Sequence, residues 1–211
     1  MPSSSVTISH FCKIKNSTIA KDSQLLFQSK ATLFQQFSEE AYRFCQVNYP
    51  KFHKMDNLSK LAFLSSEFLL HEFPIAKSYN PYRIGIILSN KSASLDTDNK
   101  YFNMVKKGVA SPAVFVYSLP SIMLGEICIR NGIKGENTFF ISDTYAIHHQ
   151  VDYISHLFTS NVFDVCIGGW VELIEESYES FLYLVEKSTN NSNLAFTSEN
   201  IKNIYQDSIN G

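Results

Sequence analysis

Apolar and polar positions along this chain switch between a two-residue and a three-to-four-residue period, and the switches lay out strands and helices in alternation. Val6–Lys13 (VTISHFCK) alternates well enough for a first strand, and the polar stretch Asn16–Ser29 predicts a loop. Lys30–Val47 places Leu33, Phe34, Phe37, Ala41, Phe44 and Cys45 at helical spacing, and Tyr49-Pro50 breaks the pattern. Asp56 can accept hydrogen bonds from the first free N–H groups of a stronger helix, Leu58–Glu72, which stops before Pro74. Arg83–Ser89 (RIGIILS) is a short apolar run between polar residues, as expected of a strand buried on both faces.

The second half continues the alternation. Asn90–Asn99 is polar and predicts a loop, Tyr101–Lys107 a helical turn, and Ser118–Asn131 a helix with Pro120 in its first turn. Gly132 and Gly135 punctuate a tight connection into a strand at Thr138–Ile141. A helix over Thr144–Ser160 would turn Ile147, Val151, Ile154, Leu157 and Phe158 inward. Its opposite stripe is His148, Asp152, Ser155, His156 and Thr159. Val162–Val171 and Tyr178–Glu186 are further strands, Ser188–Asn193 a polar loop, and Thr197 a cap for a last helix, Glu199–Gln206. Strands alternating with helices predict an α/β layered fold. No repeat or linker divides the 211 residues, so one domain over residues 1–211 is expected, with its core at 6–187 and a tail at 188–211.

Composition narrows the function classes. A net charge of -2 gives no basic surface for nucleic acid or an anionic membrane. The N-terminus has no apolar signal core and no run approaches a membrane span, so a cytoplasmic protein is expected. Cys12, Cys45, Cys128 and Cys166 are scattered, without metal-ligand or disulfide spacing, and no metal or cofactor is implied. Phe and Tyr are numerous, at 17 and 11. They predict either a large aromatic core or an aromatic surface that a second subunit covers.

The candidate chemistry sits at the turn Ser142-Asp143-Thr144-Tyr145. A strand that turns sharply into a helix presents one side chain to free N–H groups and the positive end of the helix dipole. A cysteine there would be a thiolate of lowered pKa; this chain has Thr144. Thr144 and Asp143 are both good N-caps, and that role outweighs a threonine nucleophile activated by His148. His148, His149 and His156 do not share one helix face with a carboxylate set, so a solvated face outweighs a metal site. Gly168-Gly169 sits within a strand and predicts close backbone packing, and Gly125 within a helix predicts close approach of a neighbour. Glu172, Glu175 and Glu176 read as a solvated acidic edge.

Phe52–Glu67 (FHKMDNLSKLAFLSSE), Arg83–Ser94 (RIGIILSNKSAS), Ser111–Phe140 and Phe163–Glu172 (FDVCIGGWVE) resemble, in this order, the N-terminal half of β-ketoacyl-acyl-carrier-protein synthases of the thiolase-like fold. The resemblance is nearest to short ketosynthase-like or chain-length-factor-type subunits of aryl-polyene and flexirubin-type pathways. It implies a five-stranded mixed sheet of order 3-2-1-4-5, helices on both faces, and a last strand antiparallel to the others. It also implies that Thr138, Phe139 and Phe140 lie at a dimerising sheet edge. Phe115, Tyr117, Ser118, Leu119 and Met123 would then line the interface and the acyl tunnel.

Two departures shape the expected function. Thr144 stands where ketosynthases carry their nucleophilic cysteine, and no later segment matches the half that supplies the catalytic histidines. The resemblance therefore implies a non-catalytic subunit that pairs with a ketosynthase-fold partner and limits acyl length, with an acyl carrier protein as a further partner. The alternatives are an acyltransferase or condensing enzyme using Thr144 with His148, and a homodimeric acyl- or carrier-binding module.

Overall fold

The computed structural model describes residues 5–188 and 194–207. Its strands are β1 (Ser5–Lys15), β2 (Thr18–Lys21), β3 (Gln24–Gln28), β4 (Ile84–Asn90), β5 (Asn137–Ile141), β6 (Val165–Ile174), β7 (Ser177–Ser188) and β8 (Leu194–Ala195). The helices are α1 (Phe34–Cys45), α2 (Asn57–Leu69), α3 (Ile75–Ser78), α4 (Leu95–Lys106), α5 (Pro112–Val116), α6 (Ile122–Asn131), α7 (Ile147–Thr159) and α8 (Ser198–Gln206). The eight strands make one mixed sheet of order β3-β2-β1-β7-β6-β4-β5, with β8 added to β1. Residues 189–193 of the expected polar loop lie outside the described residues.

The α/β class, the helices on both faces and the antiparallel last strand of the core match the expectation: β4 is parallel to β5 and β6, and β7 is antiparallel to β6 and β1. The strand order does not. The five expected strands run 3-2-4-5-1, and the first strand lies beyond the last instead of at the centre. Burial distinguishes β1 from β4, and pairing sets their places. Every residue of β4 is buried, whereas β1 alternates and leaves His10, Lys13 and Lys15 at least partly open to solvent. The strand that is apolar on both faces lies between β5 and β6, and the middle place of the five falls to β6, which is buried along most of its length. β6 and β7 pair as a hairpin turned at Glu175 (φ 55°), so β7 fills the position next to β6 and offers its other side to β1.

The expected loop at Asn16–Ser29 is instead the double hairpin β1–β2–β3. Its two-residue turns, Asn16-Ser17 and Asp22-Ser23, all have positive φ (50–65°), the conformation whose twist suits a hairpin. The Asp22 carboxylate accepts from Phe11 N at 2.8 Å and contacts His10 Nδ1 at 2.8 Å, which holds the second turn against β1. Much of the expected loop at Asn90–Asn99 is likewise the first turn of α4.

Helices cover the two faces unequally. On the first, α2 is buried along nearly its whole length, and Phe34, Phe37, Phe52 and Phe63 are fully enclosed with α1, α2 and α6 against the sheet. Asp56 caps α2 as expected, accepting from Ser59 N at 3.0 Å. Gly132 ends α6 in the left-handed region (φ 68°) that a glycine adopts without strain. On the second face, α7 and α8 pack Val151, Ile154, Phe158, Ile201 and Ile204 over Phe163, Phe181 and Tyr183. Thr197 caps α8 through Asn200 N at 3.2 Å.

Gly168 and Gly169 pack as tightly as expected. A Cβ at Gly168 would sit 2.4 Å from the Tyr183 ring, and one at Gly169 (φ 153°) 2.1 Å from the Phe181 carbonyl oxygen. Gly125 departs from expectation: nothing lies within 4 Å of the place its Cβ would take.

The candidate site at the strand–turn–helix

β5 ends at Ile141 and α7 begins at Ile147, three residues later than the expected start at Thr144. The delay comes from the turn itself. Ser142 N donates to Asn90 O at 3.0 Å, and Ser142 Oγ donates to the Thr144 carbonyl at 2.7 Å, so the backbone folds on itself before the helix starts. The residue at the N-cap is Ala146, with no side-chain cap. The capping roles expected of Asp143 and Thr144 are therefore absent.

Thr144, His148 and His149 are exposed, and no hydrogen bond joins Thr144 to His148 among the described residues. The His149 ring stands edge-on to Phe140 at 4.8 Å. The polar stripe of α7 is solvated as expected, with His148, Asp152, His156 and Thr159 exposed. No group of three His, Cys, Asp or Glu side chains among the described residues is placed to hold a metal ion.

Beneath the turn lies a polar node that the sequence pattern gave no hint of. Gln150 is 2% exposed, and its Oε1 accepts from the hydroxyls of Tyr145 and Tyr183, each at 2.7 Å. Its Nε2 donates to Gly169 O at 3.0 Å and reaches Ile87 O and Ser89 Oγ at 3.3 and 3.4 Å. One amide thus ties α7 to β4, β6 and β7 and draws the Tyr145 ring inward, against Trp170 and Tyr205. Burial pushes the Tyr145 and Tyr183 phenols well above their ordinary range, so both remain hydrogen-bond donors.

A groove of about 1120 Å³ opens beside the turn, walled by Lys91–Leu95, the start of α7 and α8, with Trp170, Glu172 and Ile174 on its floor. Glu172 is half-buried, and its Oε2 accepts from Lys91 N at 2.6 Å and Ser92 N at 3.1 Å. Glu176 Oε2 accepts from Phe34 N at 2.6 Å and so serves the uncapped start of α1. The expected solvated acidic edge is in this respect a set of backbone fasteners, Glu175 alone being exposed without a side-chain bond. At the far side of the groove, burial would raise the Glu179 carboxyl. Hydrogen bonds from Lys15 and Tyr205, with the Lys15 charge, bring it below its ordinary range instead.

The residues expected at an interface separate into two sets. Phe115 and Leu119 are 58% and 60% exposed, whereas Tyr117 and Met123 are buried and Ser118 is half-buried. Tyr117 Oη donates to the buried Glu126 at 3.0 Å, and Glu126 pairs with Lys51 at 2.7 Å. The expected helix at Ser118–Asn131 starts later, as α6 from Ile122, after a turn through Pro120 that follows the short α5. Thr138, Phe139 and Phe140 lie half-buried on β5, an edge strand paired on one side to β4. Thr138 Oγ1 bonds Glu136 at 2.8 Å and meets the Tyr153 hydroxyl at 3.2 Å.

No protein-family model and no curated protein matches the sequence. Among solved structures the chain is similar to the ishigamide ketosynthase/chain length factor, at 13% identity and a TM-score of 0.66, over 90% of this chain and 64% of that one. It is similar to the ketosynthase ApeO in complex with its chain length factor ApeC from Xenorhabdus doucetiae, at 11% identity and 0.59, over 87% and 79%. It also matches a β-ketoacyl synthase from Burkholderia phymatum STM815, at 11% and 0.62, over 88% and 59%. The chain spans 64% of the ishigamide protein, just under two thirds of its length. At these identities the likeness is one of fold, and the fold is the thiolase-like one of ketosynthases and chain length factors.

Proposed function

We propose that this chain is a non-catalytic, chain-length-factor-like subunit that pairs through β5 with a ketosynthase-fold partner and shapes the partner's acyl tunnel. One observation carries the reading. Of the sixteen large exposed apolar residues among those described, nine lie between the end of β4 and the end of β5, including Phe102, Phe115, Val116 and Leu119. That concentration, joined to an open strand edge, is the surface another subunit covers. The solvated Thr144 and the missing contact to His148 speak against a nucleophile. The similar solved structures include ketosynthase–chain length factor pairs and one in which AntDE is bound to the acyl carrier protein AntF. Phe115, Leu119 and the β5 residues would face the partner, while Tyr117, Ser118 and Met123 would support that wall from behind.

Co-expression with a candidate ketosynthase, followed by size-exclusion chromatography and an elongation assay, tests this. The complex is expected to form, to survive Thr144→Ala with unchanged elongation, and to be lost on Phe139→Lys. A Thr144→Ala variant that abolishes an activity of the isolated chain would instead support a threonine-dependent enzyme and overturn the reading.

A further inference from the structure

The end of the sheet remote from β5 carries a second open edge. β3 pairs with β2 alone, and its other side meets no strand among the described residues. Edge strands are usually guarded by a charge, a proline, a bulge or a short length, and β3 has only the last two, with five residues and one register slip. Gln24-Leu25-Leu26-Phe27-Gln28 has neither charge nor proline nor glycine. Leu25 and Leu26 are 37% and 38% exposed, and Phe44, whose ring lies 5.0 Å from Phe27, is 51% exposed.

The segment also reads almost the same in both directions. Antiparallel pairing of two copies about Leu26 sets Gln24 opposite Gln28, Leu25 opposite Phe27, and Leu26 opposite itself. Beyond the strand, the same symmetry brings Ser23 towards Ser29 and Asp22 towards Lys30, a small pair and a pair of opposite charges. A two-fold interface must be self-complementary in this way, because each patch meets its own copy. The β2–β3 register slips by one residue, leaving Leu26 without a partner in β2. That irregularity falls on the symmetry axis, is shared by both copies and weakens the ladder there.

We propose that β3 is a self-recognition edge, through which two copies of this chain add strand to strand, antiparallel and centred on Leu26. A five-residue ladder with its apolar flank buries far less than the roughly 1,600 Å² of a standard interface, so the association is weak and reversible. It is separate from the pairing proposed for β5 and stands without it.

Oxidative cross-linking reads the register directly. Opposed residues in an antiparallel pair have Cα atoms about 4.5–5.5 Å apart, within disulfide range. A Leu26→Cys chain should therefore cross-link to itself at least about tenfold faster than a Gln24→Cys chain, whose two thiols lie at opposite ends of the ladder. A mixture of Gln24→Cys and Gln28→Cys chains should cross-link where neither does alone. The wild-type chain, with its four native cysteines, sets the background. At millimolar chain concentration, sedimentation equilibrium should detect a dimer that Leu26→Lys weakens by about tenfold or more, since like charges would face each other on the axis. Circular dichroism confirms that each variant is folded. Equal cross-linking of Leu26→Cys and Gln24→Cys would overturn the inference. So would loss of Leu26→Cys cross-linking in a Phe139→Lys background, because self-pairing would then run through β5.

Discussion

The two faces of the sheet share apolar packing but differ in what is added to it. On the first, α2 lies among rings and aliphatic chains, with Phe63 stacked on Tyr49 at 5.3 Å and tilted against Phe52 at 5.5 Å. On the second, α7 packs Val151, Ile154 and Phe158 on the sheet and is also tied to it by one buried amide, Gln150, that serves two phenols and three acceptors on the strands. Apolar packing spreads its stabilisation over many small contacts, each of which can be partly replaced by relaxation. A polar node concentrates it, because losing one partner leaves the others buried and unpaired. The apolar contacts should therefore yield in proportion to the volume removed, whereas the node should yield whenever one partner is removed, whatever its volume.

The strongest challenge to this contrast strikes the sheet that both faces share. Gly169→Ala drives a methyl group onto the Phe181 carbonyl in a backbone conformation that side chains rarely adopt, and should cost about 4 kcal/mol or more. Loss of cooperative thermal unfolding, or of soluble chain, is the expected readout. On the apolar face, Phe63→Ala should cost about 3–5 kcal/mol in urea unfolding, and Phe63→Leu much less. On the polar face, Gln150→Leu conserves volume but strands the Tyr145 and Tyr183 hydroxyls, and should cost about 2–4 kcal/mol. Adding Tyr145→Phe and Tyr183→Phe to it should recover part of that loss, since the stranded donors are then gone. A Gln150→Leu variant no less stable than Tyr183→Phe alone would sink the distinction between the faces.

Acid gives the smallest and most selective test. The Glu179 carboxyl is lower in the folded chain than its ordinary 4.5, so its bonds to Lys15 and Tyr205 add stability above that pH. This contribution is lost as pH falls through the lowered folded value. Asp56 has the opposite sign: burial raises it above 3.8, opposed by bonds from Ser59 and Thr97, so its protonation favours the folded chain. Melting temperatures of Glu179→Gln should fall less steeply than wild type below about pH 4.5, and those of Asp56→Asn more steeply.

Much of the architecture was legible in the sequence, and particular residues explain where legibility stopped. Asp56 before an apolar helical run, the RIGIILS segment and Gly132 each have one dominant physical meaning, and each stands as expected. The hairpin at residues 15–24 escaped because Asn-Ser and Asp-Ser turns lack the glycine that usually marks such turns. The strand order could not be read from any single strand. It follows from the pairing of β7 with β6 on one side and with β1 on the other, which is a property of the assembled sheet. At the candidate site, the strand–turn–helix was visible, but Ser142's bond to the Thr144 carbonyl displaced the helix start. Gln150 was missed because a lone glutamine on a helix ordinarily faces water, and only the two tyrosines on separate elements reveal that it does not.

Trp170 gives the chain an optical property of its own. It is the sole tryptophan, 4% exposed, on the floor of the groove with Tyr145 tilted against it at 5.7 Å. Its emission therefore comes from one known place, free of any averaging over sites. Unfolding of the second face should move that emission to the red, whereas loosening of the first face alone should leave its colour nearly unchanged. A single fluorophore placed this way lets the second face's departure be followed in time, in the unmodified chain.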